Sequence, residues 1–405
     1  MYRVYSAIGL LMLTAVATAQ QKTLTENMAL QLGLARDPVQ QRVEGKIVQA
    51  QSDVIASQIR PNPELSYERE ALNNDEDHVE QKLVVSQQFD FSGRRALYKE
   101  AADLHLDAAR HESAAWLADL TADIRERYYA ALLQQARRDV YGKTQQRIEV
   151  LGRALQKRRN EGDVSLYDYQ RVITERAAIE AEAVNSQLDY DSAWQSLWVL
   201  LGDDTHGFQS LSGTLLPDRP ATLEQLAAAL DQQPALHQLR IQSEAYSLQQ
   251  RAESKIFPEV TLGLGLKREE TDNRSDNGLV LNASIPLPVS NTRRDKQARS
   301  EAQSKVTQSE YQLAYERAHA ELRSLRNQVV QYRQRATGFR ETPVRHTHEL
   351  IEVTEAYYRA GEIGILELLD AYRGELEAEL TALELEHRAR NASINLEHLT
   401  GGPAQ

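Results

Sequence analysis

The sequence predicts a mainly α-helical fold that also carries four strands of a membrane β-barrel, arranged as two tandem repeats. One observation is a run of 67 residues without proline, from 94 to 160, which is longer than any globular core requires. Another is the alternation of apolar and polar side chains in four segments, which is the period of a β-strand. The third is a motif around Gly162 that returns around Gly361, 199 positions later. Each repeat is therefore expected to contain a helix, a β-hairpin, a very long coiled-coil helix, a turn and a second helix.

Composition excludes several classes of protein. The 405 residues include 47 Lys and Arg against 59 Asp and Glu, so the net charge of −12 repels phosphate backbones and argues against a nucleic-acid partner. The mean hydropathy of −0.56 is too low for a bundle of membrane-spanning helices. The absence of cysteine excludes disulfides, thiolate metal sites and a lipid anchor on an N-terminal cysteine.

The first 19 residues have the pattern of a secretory signal peptide. Arg3 precedes an apolar stretch from Ile8 to Leu13, and the segment closes on Ala17-Thr18-Ala19, a small-x-small cleavage site. The apolar stretch is shorter than the roughly 20 residues that a membrane span needs. We therefore expect cleavage before Gln20 and export from the cytoplasm.

The repeat defines the organisation of the mature chain. Residues 20–202 form the first repeat, 203–220 a linker rich in Gly and Pro, and 221–402 the second repeat. The predicted long helices span about 94–160 and 293–360, where apolar residues recur at steps of three and four, as coiled coils require.

The four predicted strands, at about 64–71, 80–91, 259–268 and 278–287, place apolar and polar side chains on opposite faces. In the third strand, for example, Leu262, Leu264 and Leu266 alternate with Gly263 and Gly265. This pattern is typical of membrane barrels, although soluble hairpins packed on helices would show it too. Four strands cannot close a barrel, and lipid does not satisfy open strand edges, so a barrel of these strands requires an oligomer.

At this point the sequence resembles a known family, the TolC-type outer-membrane efflux channels, over nearly all of residues 23–402. The resemblance rests on the signal peptide, the repeat, a proline before the first strand of each hairpin, and the pairs Arg94-Arg95 and Arg293-Arg294 at the starts of the long helices. It implies a homotrimer in the outer membrane of a Gram-negative bacterium, with a 12-stranded barrel continued by a periplasmic α-helical tunnel. It further implies a periplasmic adaptor protein and a proton-driven inner-membrane pump as partners.

A shorter run, Asn62-Pro63-Glu64-Leu65-Ser66-Tyr67-Glu68-Arg69-Glu70, resembles the cation-efflux branch typified by CzcC. This implies heavy-metal cations as one class of cargo. Two other hypotheses stay open: a channel for type I protein secretion with an ATP-driven pump, and a secreted coiled-coil structural protein.

The two helical turns are the predicted docking surface for the adaptor. Each long helix reverses direction at a glycine, Gly162 or Gly361, because glycine adopts a positive φ without strain. The resemblance places the family's tip motif on matching positions of both turns. The expected docking residues are Arg158, Gly162, Asp163, Val164, Ser165, Gly361, Glu362, Ile363 and Gly364.

The same turns carry the predicted pore constriction. Glu367 and Asp370 are three residues apart on one helix face, so a trimer would repeat them as a ring of carboxylates that concentrates cations. The alternative is an ordinary solvated acidic face. By resemblance, Asp168 and Tyr358 are expected to hydrogen-bond across the subunit interface and hold the tunnel closed. The family's arginine two residues after the second glycine is replaced here by Ile363.

The sequence predicts neither a metal site nor a cofactor. His346 and His348 are two residues apart, so on a helix they point to different faces and cannot chelate well without a helix break, although Pro343 lies nearby. Phosphate-loop, dinucleotide and hydrolase signatures are missing from the sequence, which predicts that the protein is not an enzyme.

Overall fold

A computed structural model describes residues 22–73, 77–202, 207–271, 274–287, 289 and 293–401. The predicted signal peptide lies outside the described residues. The elements, in chain order, are β1 Lys22–Leu24, α1 Glu26–Leu34, α2 Asp37–Gln58, β2 Glu64–Asn73, β3 Asp77–Phe89, α3 Arg94–Asn160, α4 Leu166–Leu201, β4 Phe208–Leu211, α5 Leu223–Leu230, α6 Pro234–Glu253, β5 Val260–Thr271, β6 Arg274–Ser284, α7 Arg294–Phe339, a π-helical turn Arg340–Val344, α8 Arg345–Ala360 and α9 Ile365–Leu399.

The order of elements confirms the predicted repeat. Helices α1 and α2 correspond to α5 and α6, each pair being followed by a hairpin, a long helical run and a return helix. Pro38 and Pro234 lie in the first turn of α2 and α6, where a residue without an N–H costs no helical hydrogen bond. Within the described residues, none of the helices carries an apolar stretch that would suit the interior of a bilayer.

The two hairpins join into one antiparallel sheet in the order β2-β3-β5-β6. The strands extend closer to the hairpin loops than predicted. Hydrogen bonding between the strands continues there through polar residues that interrupt the apolar alternation. They stop earlier at the opposite end. Strand β6 ends at Ser284, shortly before Pro286, which has no N–H to donate.

One face of this sheet is an apolar surface exposed to the surroundings. Register pairs Leu83 with Leu266 and Val85 with Leu264, and the neighbouring strands extend these rows to Leu279 and Leu281. Leu279 and Leu281 are 77% and 84% exposed. On the other face Val84 is buried, and a Cβ at Gly265 would lie 2.3 Å from the Leu83 carbonyl oxygen. Exposure of a continuous apolar face is unusual for a soluble protein and typical of a lipid-facing surface.

The junction between sheet and helices is held by the arginines that open the long helices. Arg94 is buried, and its Nη2 donates to the Glu259 carboxylate at 2.8 Å, just before β5. Arg293 forms an ion pair with Glu253 at the end of α6, at 3.2 Å. These contacts tie the start of α3 to the residue before β5 and the start of α7 to the end of α6.

The predicted long helix over about 293–360 is helical throughout residues 294–360 but changes its helical form around Pro343. Helix α7 ends at Phe339, a π-helical turn containing Pro343 follows, and α8 then continues to Ala360. Proline removes a backbone donor and its ring crowds the preceding turn, so the ladder widens locally instead of continuing as α-helix. Helix α3, which contains no proline, is unbroken over 67 residues.

The predicted linker contains more structure than its Gly and Pro content suggested. Strand β4 pairs in parallel with β1, and the Tyr128 hydroxyl on α3 lies 3.0 Å from the Leu24 carbonyl oxygen. Arg390 on α9 donates to the carbonyls of Thr214 and Leu216, at 2.8 and 2.9 Å. The described part of the linker is therefore bound to both repeats in the middle of the helical region.

Candidate functional site at the two helical tips

Both tips end their long helices with the same hydrogen-bonding motif. At the first tip, Gly162 has φ +87°, and the N–H of Asp163 donates to the Arg158 carbonyl at 2.9 Å. At the second tip, Gly361 has φ +76°, and the N–H of Glu362 donates to the Tyr357 carbonyl at 2.9 Å. This is a Schellman arrangement, in which a residue with positive φ closes the helix. Both predicted glycines are thus required by local geometry.

The return helices start differently at the two tips. Ser165 caps α4, because its hydroxyl accepts from the Asp168 N–H at 3.0 Å and donates to the Asp168 carboxylate at 2.7 Å. At the corresponding position α9 starts with Gly364, which has no capping side chain. Asp168, predicted as a gate residue, therefore also stabilises the first turn of α4.

A buried apolar cluster packs the two tips together. It joins α3 and α4 of the first repeat to α8 and α9 of the second, with Leu155, Ile365 and Leu368 almost completely buried. The other buried members are Ile148, Leu151, Val172, Ile179, Ile351, Leu369, Ala371, Tyr372 and Leu376. The tips consequently form one continuous end of the molecule.

The predicted partners Tyr358 and Asp168 lie within electrostatic range of each other in a single chain. Burial raises the pKa of the half-buried Tyr358 hydroxyl, the Arg158 guanidinium beside it acts in the opposite direction, and the Asp168 carboxylate adds to the rise. The structure therefore brings together Arg158, Asp168 and Tyr358, from the ends of α3, α4 and α8. A hydrogen bond from Tyr358 to a neighbouring subunit stays a prediction.

Glu367 and Asp370 lie exposed on α9, while Leu368 and Leu369 between them are buried. This arrangement agrees with two carboxylates on one solvent-facing side of the helix, as their spacing predicted. Val164 and Ile363 are partly buried in the turns, and the other expected docking residues are exposed: Arg158, Gly162, Asp163, Ser165, Gly361, Glu362 and Gly364.

Sequence reasoning missed an ion pair near the predicted constriction. Arg373 on α9 binds Glu175 on α4 with two parallel contacts, and its Nε lies 2.7 Å from the carboxylate. Glu175 is buried because the helical periodicity of α4 places it on the same face as the buried residues Val172 and Ile179. A charged residue on the apolar stripe of a helix was the available signal, since burial of a carboxylate requires a partner.

Further along the helices, away from the tips, a group of charged side chains connects the π-helical turn to α9. Arg340 donates from Nε to Glu386 at 2.7 Å and also binds Glu379. His348 Nε2 lies 3.2 Å from Glu375 and 3.1 Å from Glu379, beside a cavity of about 390 Å³. In the part of the chain that the structure describes, no three His, Asp or Glu side chains are grouped in a way that could hold a metal ion.

Comparison with known proteins agrees with this architecture. Residues 226–402 match the model of the family described as "Outer membrane efflux protein". The cobalt-zinc-cadmium resistance protein CzcC of Cupriavidus metallidurans is 24% identical over 361 residues, which cover 88% of this chain and 84% of CzcC.

Two solved structures show the same fold. VceC of Vibrio cholerae superposes with a TM-score of 0.75 at 18% identity, covering 94% of this chain and 97% of VceC. The Campylobacter jejuni CmeC outer membrane channel gives a TM-score of 0.75 at 14% identity, covering 93% and 85%. Over residues 226–402 the chain matches the outer membrane efflux protein family, a family of channels rather than enzymes, and the predicted outer-membrane location is confirmed.

Proposed function

We propose that three copies of this chain form the outer-membrane duct of a tripartite efflux system. The observation that carries this is the exposed apolar face of a four-stranded sheet whose outer strands, β2 and β6, lack a second neighbour among the described residues. Lipid does not satisfy open strand edges, so closure by further copies is required. Native mass spectrometry in detergent should find a trimer. A folded monomer that remains stable in detergent would contradict the proposal.

The tips are the proposed contact with a periplasmic adaptor, which links the duct to a proton-driven inner-membrane pump. Gly162→Val should abolish export because a β-branched residue at φ +87° strains the turn. The trimer should persist, since the turn is far along α3 from the sheet. Crosslinks from residues 163–165 and 362–364 to the adaptor should disappear together with export. Export that survives without those crosslinks would place docking elsewhere.

The proposed cargo is divalent heavy-metal cations, by similarity to CzcC and because exposed acids lie at the predicted constriction. Cells that lack their own channel should gain tolerance to zinc, cobalt or cadmium when the chain is supplied with its pump and adaptor. The Gly162→Val variant is the matched control. In planar bilayers, Glu367→Gln with Asp370→Asn should reduce cation preference. Unchanged selectivity would make the two acids an ordinary solvated face.

A further inference from the structure

The two tips have the same backbone but opposite charge. We define the first tip as residues 153–171 and the second as residues 352–370, which correspond at the offset of 199 positions. The first tip has five basic and three acidic side chains, a formal charge of +2, and the second has one basic and five acidic side chains, a charge of −4. The basic set is Arg153, Lys157, Arg158, Arg159 and Arg171, all exposed; the acids of the second tip are Glu352, Glu355, Glu362, Glu367 and Asp370.

Each tip carries an exposed apolar side chain at the corresponding position of the repeat. Tyr167 is 65% exposed and Leu366, its counterpart in the repeat, is 43% exposed. Leu166 adds a second exposed apolar side chain to the first tip. An apolar centre inside a charged rim is the usual anatomy of a protein interface. The two tips therefore offer similar apolar contacts and differ in the charge of the side chains around them.

The tips are close enough for one partner to contact both. They share the buried cluster that contains Leu155 and Ile365, and Arg158 of the first tip lies beside Tyr358 of the second. Their opposite rims thus form a single surface on which positive and negative regions adjoin. Such a surface favours a partner with the complementary arrangement and disfavours the reversed orientation, because like charges would then meet.

We propose that the docking partner carries acidic and basic side chains next to each other, with its acidic part on the first tip and its basic part on the second. This rests on the proposed role of the tips as a docking surface and adds the chemistry and orientation of the partner. The three protomers of the duct then present basic and acidic tips alternately around the ring.

The test uses the full-length channel in detergent with two designed helical hairpins as probes. The hairpins are identical except for three glutamates or three lysines at the loop, and each carries a photo-crosslinker. The acidic hairpin should crosslink several-fold more to residues 163–165 than to 362–364, and the basic hairpin should show the opposite preference. Both preferences should fall as salt rises, because these charges are exposed.

Charge reversal separates the outcomes. Lys157→Glu with Arg171→Glu should remove the preference of the acidic hairpin, whereas Lys99→Glu with Arg110→Glu, far from the tips on α3, should leave it unchanged. Equal labelling of both tips by both hairpins would overturn the proposal while leaving docking intact. Labelling of neither tip, by these probes and by the adaptor itself, would overturn docking and the charge proposal together.

Discussion

The two long helical runs are equal in length and different in construction. Helix α3 has 67 uninterrupted residues, whereas the second run consists of 46 residues in α7, five in the π-helical turn and 16 in α8. Both nevertheless end in the same Schellman turn. The difference teaches that the tip is defined by its local closing residues, and that a break remote from the tip is tolerated where side chains bind it to a neighbouring helix.

The largest change in stability should come from introducing into α3 a proline like the one that the second helical run contains. Lys143→Pro puts a proline at an exposed site in the interior of α3 and should lower the free energy of unfolding by about 3 kcal/mol or more. Pro343→Ala, in the run that already contains a π-helical turn, should change it by less than about 1 kcal/mol. Denaturant unfolding followed by circular dichroism checks both. Equal losses would show that the two runs tolerate proline alike.

A smaller effect is expected from the side chain that binds the break to α9. Arg340→Gln leaves Glu379 and Glu386 without their cation, and both are largely buried, so about 1–2 kcal/mol of stability should be lost. Arg388→Gln is the control, because its pair with Glu384 is exposed on one helix and should be worth less than about 0.5 kcal/mol. If the two variants lose the same stability, Arg340 does not hold the break.

The two long helical runs also show what the sequence could and could not predict. Proline-free periodicity was sufficient for α3, and Gly162 and Gly361 located both turns. The π-helical turn at Pro343 was missed because proline leaves several outcomes open, and because Arg340 in this turn binds acids on α9 that lie 39 and 46 residues away along the chain. Strand β4 was missed for a related reason. Its four residues pair with β1 from the start of the chain, and so short a strand has no periodicity of its own.

At the candidate site the same division holds. The positions of Glu367 and Asp370 on one exposed face followed from helical spacing. The proximity of Asp168, Arg158 and Tyr358 within one chain did not, because it depends on how the repeats pack. The pair between Glu175 and Arg373 joins residues 198 positions apart, which spacing along the chain cannot reveal.

Glycines inside the two runs provide a milder comparison. Gly142 in α3 and Gly338 in α7 are helical, and a Cβ at either site would meet nothing within 4 Å. Each change to alanine should therefore stabilise the fold by about 0.5–1 kcal/mol, because alanine loses less backbone entropy in a helix. Thermal unfolding of the two single variants measures this. A gain for Gly142→Ala with none for Gly338→Ala would indicate that α7 needs flexibility just before its break.

The smallest effect concerns acid sensitivity of α9, which packs against both runs. Burial lowers the pKa of His387 below its usual 6.5, and Glu384 only partly opposes this. The unfolded chain then binds a proton more readily than the folded one, so His387 should reduce stability as the pH falls through 6.5. His387→Gln should flatten this part of the pH profile, whereas replacement of the exposed His346 should not. An unchanged profile in the His387 variant would assign the acid sensitivity to other groups.

The length of α3 has a mechanical consequence. At a rise of 1.5 Å per residue its 67 residues span about 100 Å, so the helix sets the distance between the sheet and the tips. Adding seven residues to α3 alone would displace the apolar residues beyond the insertion along the helix axis, out of register with their contacts on α4 and α9. Matched seven-residue insertions in α3, α4, α8 and α9 would keep every stripe in phase and move the tips about 10 Å further from the sheet. The distance between the sheet and the tips is therefore set in steps of whole heptads, shared by four helices at once.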